Sequence, residues 1–271
     1  MPEAFYIYCI GELDALAPLL DERQAEAIEP ETALELIASD DLAAAASVVP
    51  LKDYDEEAFA ARLTDAAWVA ARAMRHEKVL EHFASRTTIV PLRFGTIYLK
   101  REGVTRMLSE QSESLRALLV RLSGKEEWGL NIFCDRAKLL EVIATLSPAL
   151  REMSARADAS TAGQAYLLRK KIEAMRADEA RAEIRRVVAE IESRLKEESA
   201  GKVRLHLRQA ETAEHKDLAA KLAFLIERAR FKEFRAAAEE LAASHAPSGF
   251  RLELTGAWPP YNFVEEMKTD D

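Results

Sequence analysis

The spacing of apolar residues in the first part of the chain alternates between strand-like and helix-like patterns. Residues 4–10 (AFYIYCI) are rich in β-branched and aromatic side chains and end at Gly11, so they predict a buried first strand. Residues 34–38 and 42–49 flank a Ser-Asp-Asp turn signal and predict a hairpin. The alanine run inside the second of these segments weakens the hairpin prediction, because alanine is a poor strand former.

A long helical stretch follows the predicted hairpin. Apolar residues recur at spacings of three and four between Phe59 and Phe83, and Asp53 and Asp55 are candidate caps at its start. The rest of the first half is predicted to form two strands and one helix, at residues 87–92, 94–99 and 104–122.

The order of elements becomes recognisable after a candidate boundary, Ser-Gly-Lys at residues 123–125. Strands are predicted at residues 128–135, 203–209, 218–226 and 250–255, and helices at residues 136–146, 161–198 and 231–245. The order β-α-β-β-α-β is typical of a ferredoxin-like antiparallel sheet with two helices on one face. We therefore predict an α+β protein with two domains, an N-terminal α+β domain at 1–124 and a ferredoxin-like domain with a C-terminal tail at 125–271.

The helix predicted over residues 161–198 is rich in charge. More than half of its residues after position 168 are charged, and its apolar residues form a narrow stripe with nearly the spacing of a coiled coil. Two interpretations stay open: an amphipathic helix packed on the sheet with a solvated outer face, which we favour, and a coiled-coil face that binds a partner. The stripe consists of Leu168, Ile172, Met175, Ala180, Ile184, Val187, Ile191 and Leu195.

Composition and charge narrow the class of protein. The 271 residues are 49% apolar and 31% charged, as expected for a globular protein with a sizeable core. A net charge of −9 argues against nonspecific binding to nucleic acid. The chain has no apolar run long enough to span a membrane, and its first residues lack the basic region of a signal peptide, so we expect a cytoplasmic protein.

The sequence contains none of the familiar catalytic or cofactor-binding motifs. His76 and His82 are six residues apart, which places them on different faces of a helix, so they do not predict a metal site. Cys9 and Cys134 lie in apolar strands and are expected to pack as small hydrophobic residues. We expect no catalytic residue, no metal and no cofactor. Surface or packing roles are predicted for His206, His215 and His245.

The first motif that composition does not explain is PLRFGT at residues 91–96. Pro91 ends one predicted strand, and Gly95 allows the backbone angles of a tight corner before the next strand. The side chain of Arg93, which precedes Phe94, can be interpreted in two ways. It forms an internal ion pair that fixes the corner, which we favour, or it is presented to an anionic ligand or partner.

The second motif is TGAWPPYNFV at residues 255–264. A glycine and a proline pair stop the last strand and hold an extended path that has little conformational entropy left to lose. Three aromatic rings lie within six residues, which is a large apolar surface for a terminal segment. We expect this tail either to dock across the domain junction or to anchor a partner. Its distinctive residues are Gly256, Trp258, Pro259, Pro260, Tyr261 and Phe263.

Four segments together resemble the GvpL/GvpF family of gas vesicle proteins. They are RTTIVPLRFGTIY, EEWGLNIFCD, GQAYLLRKK and LTGAWPPYNFV, at residues 86–98, 126–135, 163–171 and 254–264. The similarity runs in order along nearly the whole chain and includes YIYCI at residues 6–10. One departure is Ala257, where the family commonly has proline, which implies a slightly looser corner in the tail.

The resemblance implies a non-enzymatic role in gas vesicle formation. Gas vesicles are hollow protein shells in the cytoplasm that provide buoyancy, and their wall is built from a small, very hydrophobic shell protein, GvpA. Members of the family are minor structural components or assembly factors, so the implied partners are GvpA and other accessory Gvp proteins. The implied fold has two α+β domains, the second of them a modified ferredoxin fold.

Two rival functions stay open at this point. A two-domain α+β protein with a cleft is a plausible small-molecule-binding enzyme, and Arg93 would then form its anion site. A regulatory or scaffold module that self-associates through the long charged helix is the other rival.

Overall fold

The computed structural model describes residues 3–21, 26–207 and 217–264, and these residues divide into two compact units. The first unit comprises the described residues of Met1–Glu127 and Ala257–Asp271, and the second comprises those of Trp128–Gly256. Each unit combines helices with an antiparallel sheet, which confirms the mixed α+β prediction. The division into folding domains at 1–124 and 125–271 stays a prediction.

The first unit is built on a five-stranded sheet. Its strands are β1 (Glu3–Glu12), β2 (Leu34–Ser39), β3 (Leu42–Pro50), β4 (Val90–Pro91) and β5 (Ile97–Tyr98). They are ordered β2-β3-β1-β4, and β5 pairs with β1 as well. The predicted hairpin is confirmed, because β2 and β3 pair from Leu34 opposite Ser47 to Ser39 opposite Leu42. The strands predicted over 87–92 and 94–99 are shorter than expected.

Six helices are described in the first unit. They are α1 (Leu13–Asp21), α2 (Leu51–Tyr54), α3 (Glu56–Arg62), α4 (Ala66–Ala84), α5 (Arg101–Glu110) and α6 (Ser112–Leu122). The helical stretch predicted from Phe59 to Phe83 is divided between α3 and α4. The division occurs because Asp65 caps a new helix by accepting hydrogen bonds from the backbone N–H groups of Ala67 and Trp68. Asp55 is a cap as predicted, whereas the proposed cap Asp53 lies within α2. The helix predicted over 104–122 is likewise two helices.

Both faces of this sheet are covered. On one face, Val79, Leu80 and Phe83 of α4 share a buried cluster with Tyr6 and Tyr8 of β1. Helices α5 and α6 contact the strands as well, and their buried residues are Val104, Met107, Leu108, Leu115, Leu118, Leu119 and Leu122. The alanine run of β3 is fully buried. Its small side chains suit a strand with helices on both sides.

The second unit contains a four-stranded sheet and four described helices. The strands are β6 (Lys125–Cys134), β7 (Gly201–Leu205), β8 (Leu218–Glu227) and β9 (Phe250–Trp258), ordered β7-β8-β6-β9. The helices are α7 (Arg136–Leu146), α8 (Pro148–Asp158), α9 (Ala162–Glu197) and α10 (Phe231–His245). Three helices therefore lie between β6 and β7. Helices at 136–146 and 161–198 were predicted there, whereas α8 was not, and the simplified order β-α-β-β-α-β counts only one helix. Arg208, Gln209 and His215 lie outside the described residues.

The long helix α9 packs mainly through its C-terminal half. Val187, Ile191 and Leu195 are fully buried in the core of the second unit, while Ile172 and Met175 are partly buried against it. The favoured interpretation, an amphipathic helix packed on the sheet, therefore holds for this half. The outer face of the N-terminal half of α9 is exposed.

Candidate functional site

Three of the sequence motifs meet around one buried tyrosine of the first unit. The Tyr6 hydroxyl accepts a hydrogen bond from the Gly95 backbone N–H at 3.0 Å and lies 3.0 Å from Nδ1 of His76. Nε2 of His76 lies 3.2 Å from the hydroxyl of Tyr261 in the tail. That hydroxyl donates to the carboxylate of Glu77 at 3.0 Å. We call Tyr6, His76, Glu77, Gly95 and Tyr261 the polar junction.

The number of available protons determines the direction of each hydrogen bond in the polar junction. The one proton of Tyr261 goes to Glu77, so the Tyr261 oxygen accepts from Nε2–H of His76. In that tautomer, Nδ1 of His76 accepts the proton of Tyr6, whose oxygen accepts from Gly95. Both hydroxyls and both ring nitrogens of the polar junction thereby have a hydrogen-bond partner while the imidazole is neutral.

Burial determines the protonation states in the polar junction. It lowers the pKa of His76 to about 4, although a backbone hydrogen bond with Leu92 acts in the opposite direction. Burial also raises the pKa of Tyr6 well above its ordinary value. The pKa of Tyr261 is raised by burial and then by the nearby charge of Glu77. At neutral pH the imidazole is therefore uncharged and both hydroxyls are protonated, which suits a structural connection better than acid–base chemistry.

The PLRFGT motif forms a tight corner, as predicted. The backbone N–H of Thr96 donates to the Arg93 carbonyl at 3.1 Å, and its hydroxyl donates to the same oxygen at 2.8 Å. Pro91 is buried in β4, where it pairs with Cys9 of β1. The Arg93 side chain is exposed. Both interpretations of that side chain, an internal ion pair and an anion site, stay predictions.

Phe94 and Gly95 are the residues of this corner that pack against aromatic rings of the first unit. The Phe94 ring lies edge-on to the rings of Tyr6 and His76, with centroids 6.2 Å and 5.8 Å away. Gly95 has φ +90°, and a Cβ there would lie 2.8 Å from the ring of Phe59. Both the backbone angle and the available space therefore require glycine.

We expect Gly95→Ala to lower the free energy of unfolding by ~3 kcal/mol, from left-handed strain and from overpacking against Phe59. Gly124→Ala is the matched control, because Gly124 has φ +69° but no atom within 4 Å of the position of a Cβ. That control should lose only about 1 kcal/mol. Urea unfolding of both variants measures the difference. Equal losses of unfolding free energy in the two variants would show that overpacking against Phe59 does not contribute.

The tail is held to the first unit by backbone and side-chain hydrogen bonds. The backbone N–H of Asn262 donates to one carboxylate oxygen of Glu127 at 2.9 Å, and its side-chain amide donates to the other at 2.5 Å. The carbonyl of Phe263 accepts a hydrogen bond from Arg121. Burial raises the pKa of Glu127, while the two bonds from Asn262 act to lower it. This part of the tail is therefore docked within the first unit.

The residues just before the docked segment differ in exposure. Pro259 and Pro260 are buried, whereas the side chain of Trp258 is 50% exposed. Gly256 has φ +138°, which glycine adopts more readily than other residues. Ala257, the departure from the family pattern, is exposed. Of the tail aromatics, Tyr261 is therefore docked, whereas Trp258 is half exposed at the surface.

A second buried polar cluster lies in the same unit. The guanidinium of Arg72 donates from Nε and from Nη2 to the two carboxylate oxygens of Glu29, each at 2.9 Å. The Tyr54 hydroxyl donates to Glu29 at 2.5 Å. The guanidinium also lies over the ring of Trp68, 4.1 Å from its centroid. This bidentate pair links α4 to the segment before β2.

Several residues of these clusters were missed by sequence reasoning. His76 was tested only as a metal ligand, yet it lies three, four and seven residues before the buried Val79, Leu80 and Phe83. A polar residue on the buried stripe of a helix is the signal that would have identified it. Nothing in the local pattern marks Tyr6, Glu77, Glu127 or Asn262 as partners.

The described residues show little that suits a metal or a reactive thiol. Across 3–21, 26–207 and 217–264, no group of three histidine, cysteine, aspartate or glutamate side chains is placed to hold a metal ion. Cys9 and Cys134 are buried. Burial raises the pKa of Cys134 to about 11, so its reactive thiolate form is disfavoured. None of the helices in the same ranges is long and apolar enough to cross a membrane.

Known proteins similar to this chain share one description. The family described as "Gas vesicle synthesis protein GvpL/GvpF" matches residues 4–265. Gas vesicle protein L of Streptomyces sp. (strain CB03234) is 30% identical over 240 residues, which is 87% of this chain and 84% of that relative. Gas vesicle protein L1 of Halobacterium salinarum is 26% identical over 190 residues, covering 66% and 65% of the two chains.

Two solved structures have the same fold. The crystal structure of the gas vesicle protein GvpF from Anabaena sp. PCC7120 matches with a TM-score of 0.66 and 18% identity, over 97% of this chain and 96% of that one. GvpF from Microcystis aeruginosa matches with a TM-score of 0.59 and 19% identity, over 96% and 98%. The likeness thus extends through both units.

Proposed function

This chain belongs to the GvpL/GvpF family of gas vesicle synthesis proteins, and we propose that it acts in gas vesicle assembly by binding the shell protein GvpA and other accessory Gvp proteins. The observation that carries the proposal is the family match, which extends from residue 4 to residue 265. The proposed location is the cytoplasm and the gas vesicle.

The physical basis of this role is protection of apolar surface. A hydrophobic shell subunit exposes apolar surface before it polymerises, and exposed apolar patches associate without specificity. An accessory protein that covers this surface delays that association. Its own net charge of −9 then favours a dispersed complex, because like charges repel.

We propose that the second unit is a modified ferredoxin-like domain. The strand order β7-β8-β6-β9 supports this, since the two central strands are the first and third of the unit. Helices α9 and α10 both contact β8 and belong to one buried core, as two helices on one face of a sheet do. The modification is the presence of two additional helices, α7 and α8, between β6 and α9.

We propose that the two motifs serve assembly through structure rather than chemistry. The PLRFGT corner and the tail meet at the polar junction, where Gly95 and Tyr261 are joined through Tyr6 and His76. This arrangement holds the docked tail, and it leaves Trp258 at the surface, where a partner can reach it.

Co-purification tests the proposed function. The tagged full chain is expressed in cells that make gas vesicles and is isolated before vesicles mature, and the recovered proteins are identified by mass spectrometry. We expect GvpA and accessory Gvp proteins to be retained, because apolar surface is buried in the complex. An equally tagged unrelated acidic protein of similar size is the control.

Two results would contradict the proposed function. One is recovery of GvpA at the level of the control protein. The other is normal vesicle number and shape, by electron microscopy, in cells from which the gene has been deleted. The first result would reject the contact with GvpA, and the second would show that vesicles assemble without this protein.

A further inference from the structure

Helices α8 and α9 form a hairpin whose outer surface is not used by the core. The helices are joined by residues 159–161 and contact each other along α8. Ala157 and Ala165 are buried between them, and Asp158 lies 3.6 Å from Arg169 across the hairpin. In the first turns of α9, Ala165, Leu168 and Ile172 face inward, since they are the buried and half-buried residues there.

The opposite face of α9 carries an exposed leucine together with small and basic residues at a regular spacing. Tyr166 and Leu167 are 59% and 66% exposed, although both are large hydrophobic residues. Positions along this face recur at alternating intervals of four and three, which is the spacing of a coiled-coil seam. We call this set the outward seam: Gly163, Leu167, Lys170, Ala174, Ala177 and Arg181, all exposed.

The N-terminal half of the outward seam lies in basic surroundings in an acidic protein, whereas residues 172–181 have two arginines against three aspartates and glutamates. Residues 151–171 contain five lysines and arginines but only two aspartates and glutamates, whereas the whole chain has a net charge of −9. Arg169, Lys170 and Lys171 are consecutive and exposed, so they spread across the width of the helix face. The ammonium of Lys170 lies 5.7 Å from the ring of Tyr166. Positive charge therefore surrounds the exposed apolar side chains.

From this juxtaposition we propose that the outward seam is a docking surface for an acidic amphipathic helix of a partner protein. The inference rests on the proposed function, for which it names the surface and the chemistry of one partner. Gly163, Ala174 and Ala177 allow a second helix to approach closely, and Leu167 supplies an apolar knob. Lys170 in the seam and Lys171 beside it complement carboxylates that flank the apolar stripe of the partner.

The shape and charge of the surface favour a partner helix over two other occupants. A second copy of the chain would bring two sets of Arg169, Lys170 and Lys171 close together, within the screening distance of about 8 Å. A lipid bilayer is bound by helices with a broad face of bulky apolar residues. The outward seam has one leucine and is otherwise small or charged, so it matches the narrow stripe of a helix.

Binding of a designed peptide tests the proposal. The probe is a fluorescein-labelled helical peptide with leucine at seam positions and glutamate beside them. Its control is a peptide of identical composition with the leucines moved off the heptad spacing. Fluorescence anisotropy with the full chain at 150 mM salt should show saturable binding of the first peptide and at least tenfold weaker binding of the second.

Charge reversal and apolar substitution locate the site on the chain. We expect Lys170→Glu with Lys171→Glu, and separately Leu167→Glu, each to weaken binding at least tenfold. The control for charge is Lys52→Glu with Lys232→Glu, which changes the net charge equally at exposed positions in other helices. The control for Leu167 is Val120→Glu, on the 75%-exposed Val120 of α6. Both controls should bind within twofold of the wild type.

Other outcomes would overturn the inference. Equal binding of both peptides would show attraction by charge alone, and binding of anionic vesicles but not of the peptide would assign the surface to lipid. Retention of GvpA by the wild type, with no saturable binding of the designed peptide, would reject the outward seam as a docking surface while the proposed function stands. Failure of the wild-type chain to retain GvpA would instead reject the proposed function, whether or not the peptide binds.

Discussion

Glu29→Ala is expected to lower the free energy of unfolding by about 3 kcal/mol, the lower end for a buried ion pair, because it leaves a largely buried guanidinium without its counter-ion. The side chains of Arg72 and Glu29 are only 18% and 8% exposed. Tyr54 loses the acceptor of its hydroxyl proton in the same variant. Chemical unfolding at pH 7.5, followed by circular dichroism, measures this loss.

Two comparisons separate the cost of an unpaired charge from the value of the ion pair. Replacing both partners, Glu29→Leu with Arg72→Met, should recover most of the lost stability, because neither buried charge remains. Asp53→Ala removes a similarly short but more exposed pair, in which Arg62 lies 2.8 Å from Asp53. It should cost less than about 1 kcal/mol. A loss for Glu29→Ala no greater than for Asp53→Ala would contradict the assigned burial.

The second large effect is a dependence of stability on pH that arises from His76. Its pKa falls from 6.5 in an exposed chain to about 4 in the folded protein. The unfolded chain therefore binds more protons than the folded one between these values, so stability is lost as the pH falls through that window. Between pH 7.5 and pH 4.5 the loss due to His76 should be ~2.5 kcal/mol, since each pKa unit corresponds to about 1.4 kcal/mol.

Comparison with His76→Gln isolates this contribution. Glutamine retains hydrogen-bonding groups but does not titrate, so the variant should lose about 2–3 kcal/mol less than the wild type over the same pH range. The comparison is needed because burial raises the pKa values of Glu77 and Glu127, which has the opposite effect on stability as the pH falls. Urea titrations at low protein concentration avoid precipitation near the pI of about 5.3.

His206→Gln, at an exposed position, should follow the wild-type curve. Parallel curves for His76→Gln and the wild type would show that His76 titrates equally in both states.

The sequence predicts best those segments that have a regular local pattern. The turn signal between residues 34–38 and 42–49 predicted the β2–β3 hairpin, and the helices over 136–146 and 231–245 begin and end where their patterns do. Aspartates at helix starts were identified in part: Asp55 caps α3, but Asp65, which divides the long pattern, was missed. Periodicity reports the average character of a segment, whereas a cap acts at a single residue.

The sequence alone determined the type of most elements and, through its motifs, the family. Both follow from local order: the period of apolar residues distinguishes a helix from a strand, and a motif is a string of neighbours. Only the tertiary structure decided which motifs meet. In the polar junction, His76 is 70 positions from Tyr6 and 185 from Tyr261. Hydrogen bonds and burial depend on which distant segments pack together, and no local pattern encodes that pairing.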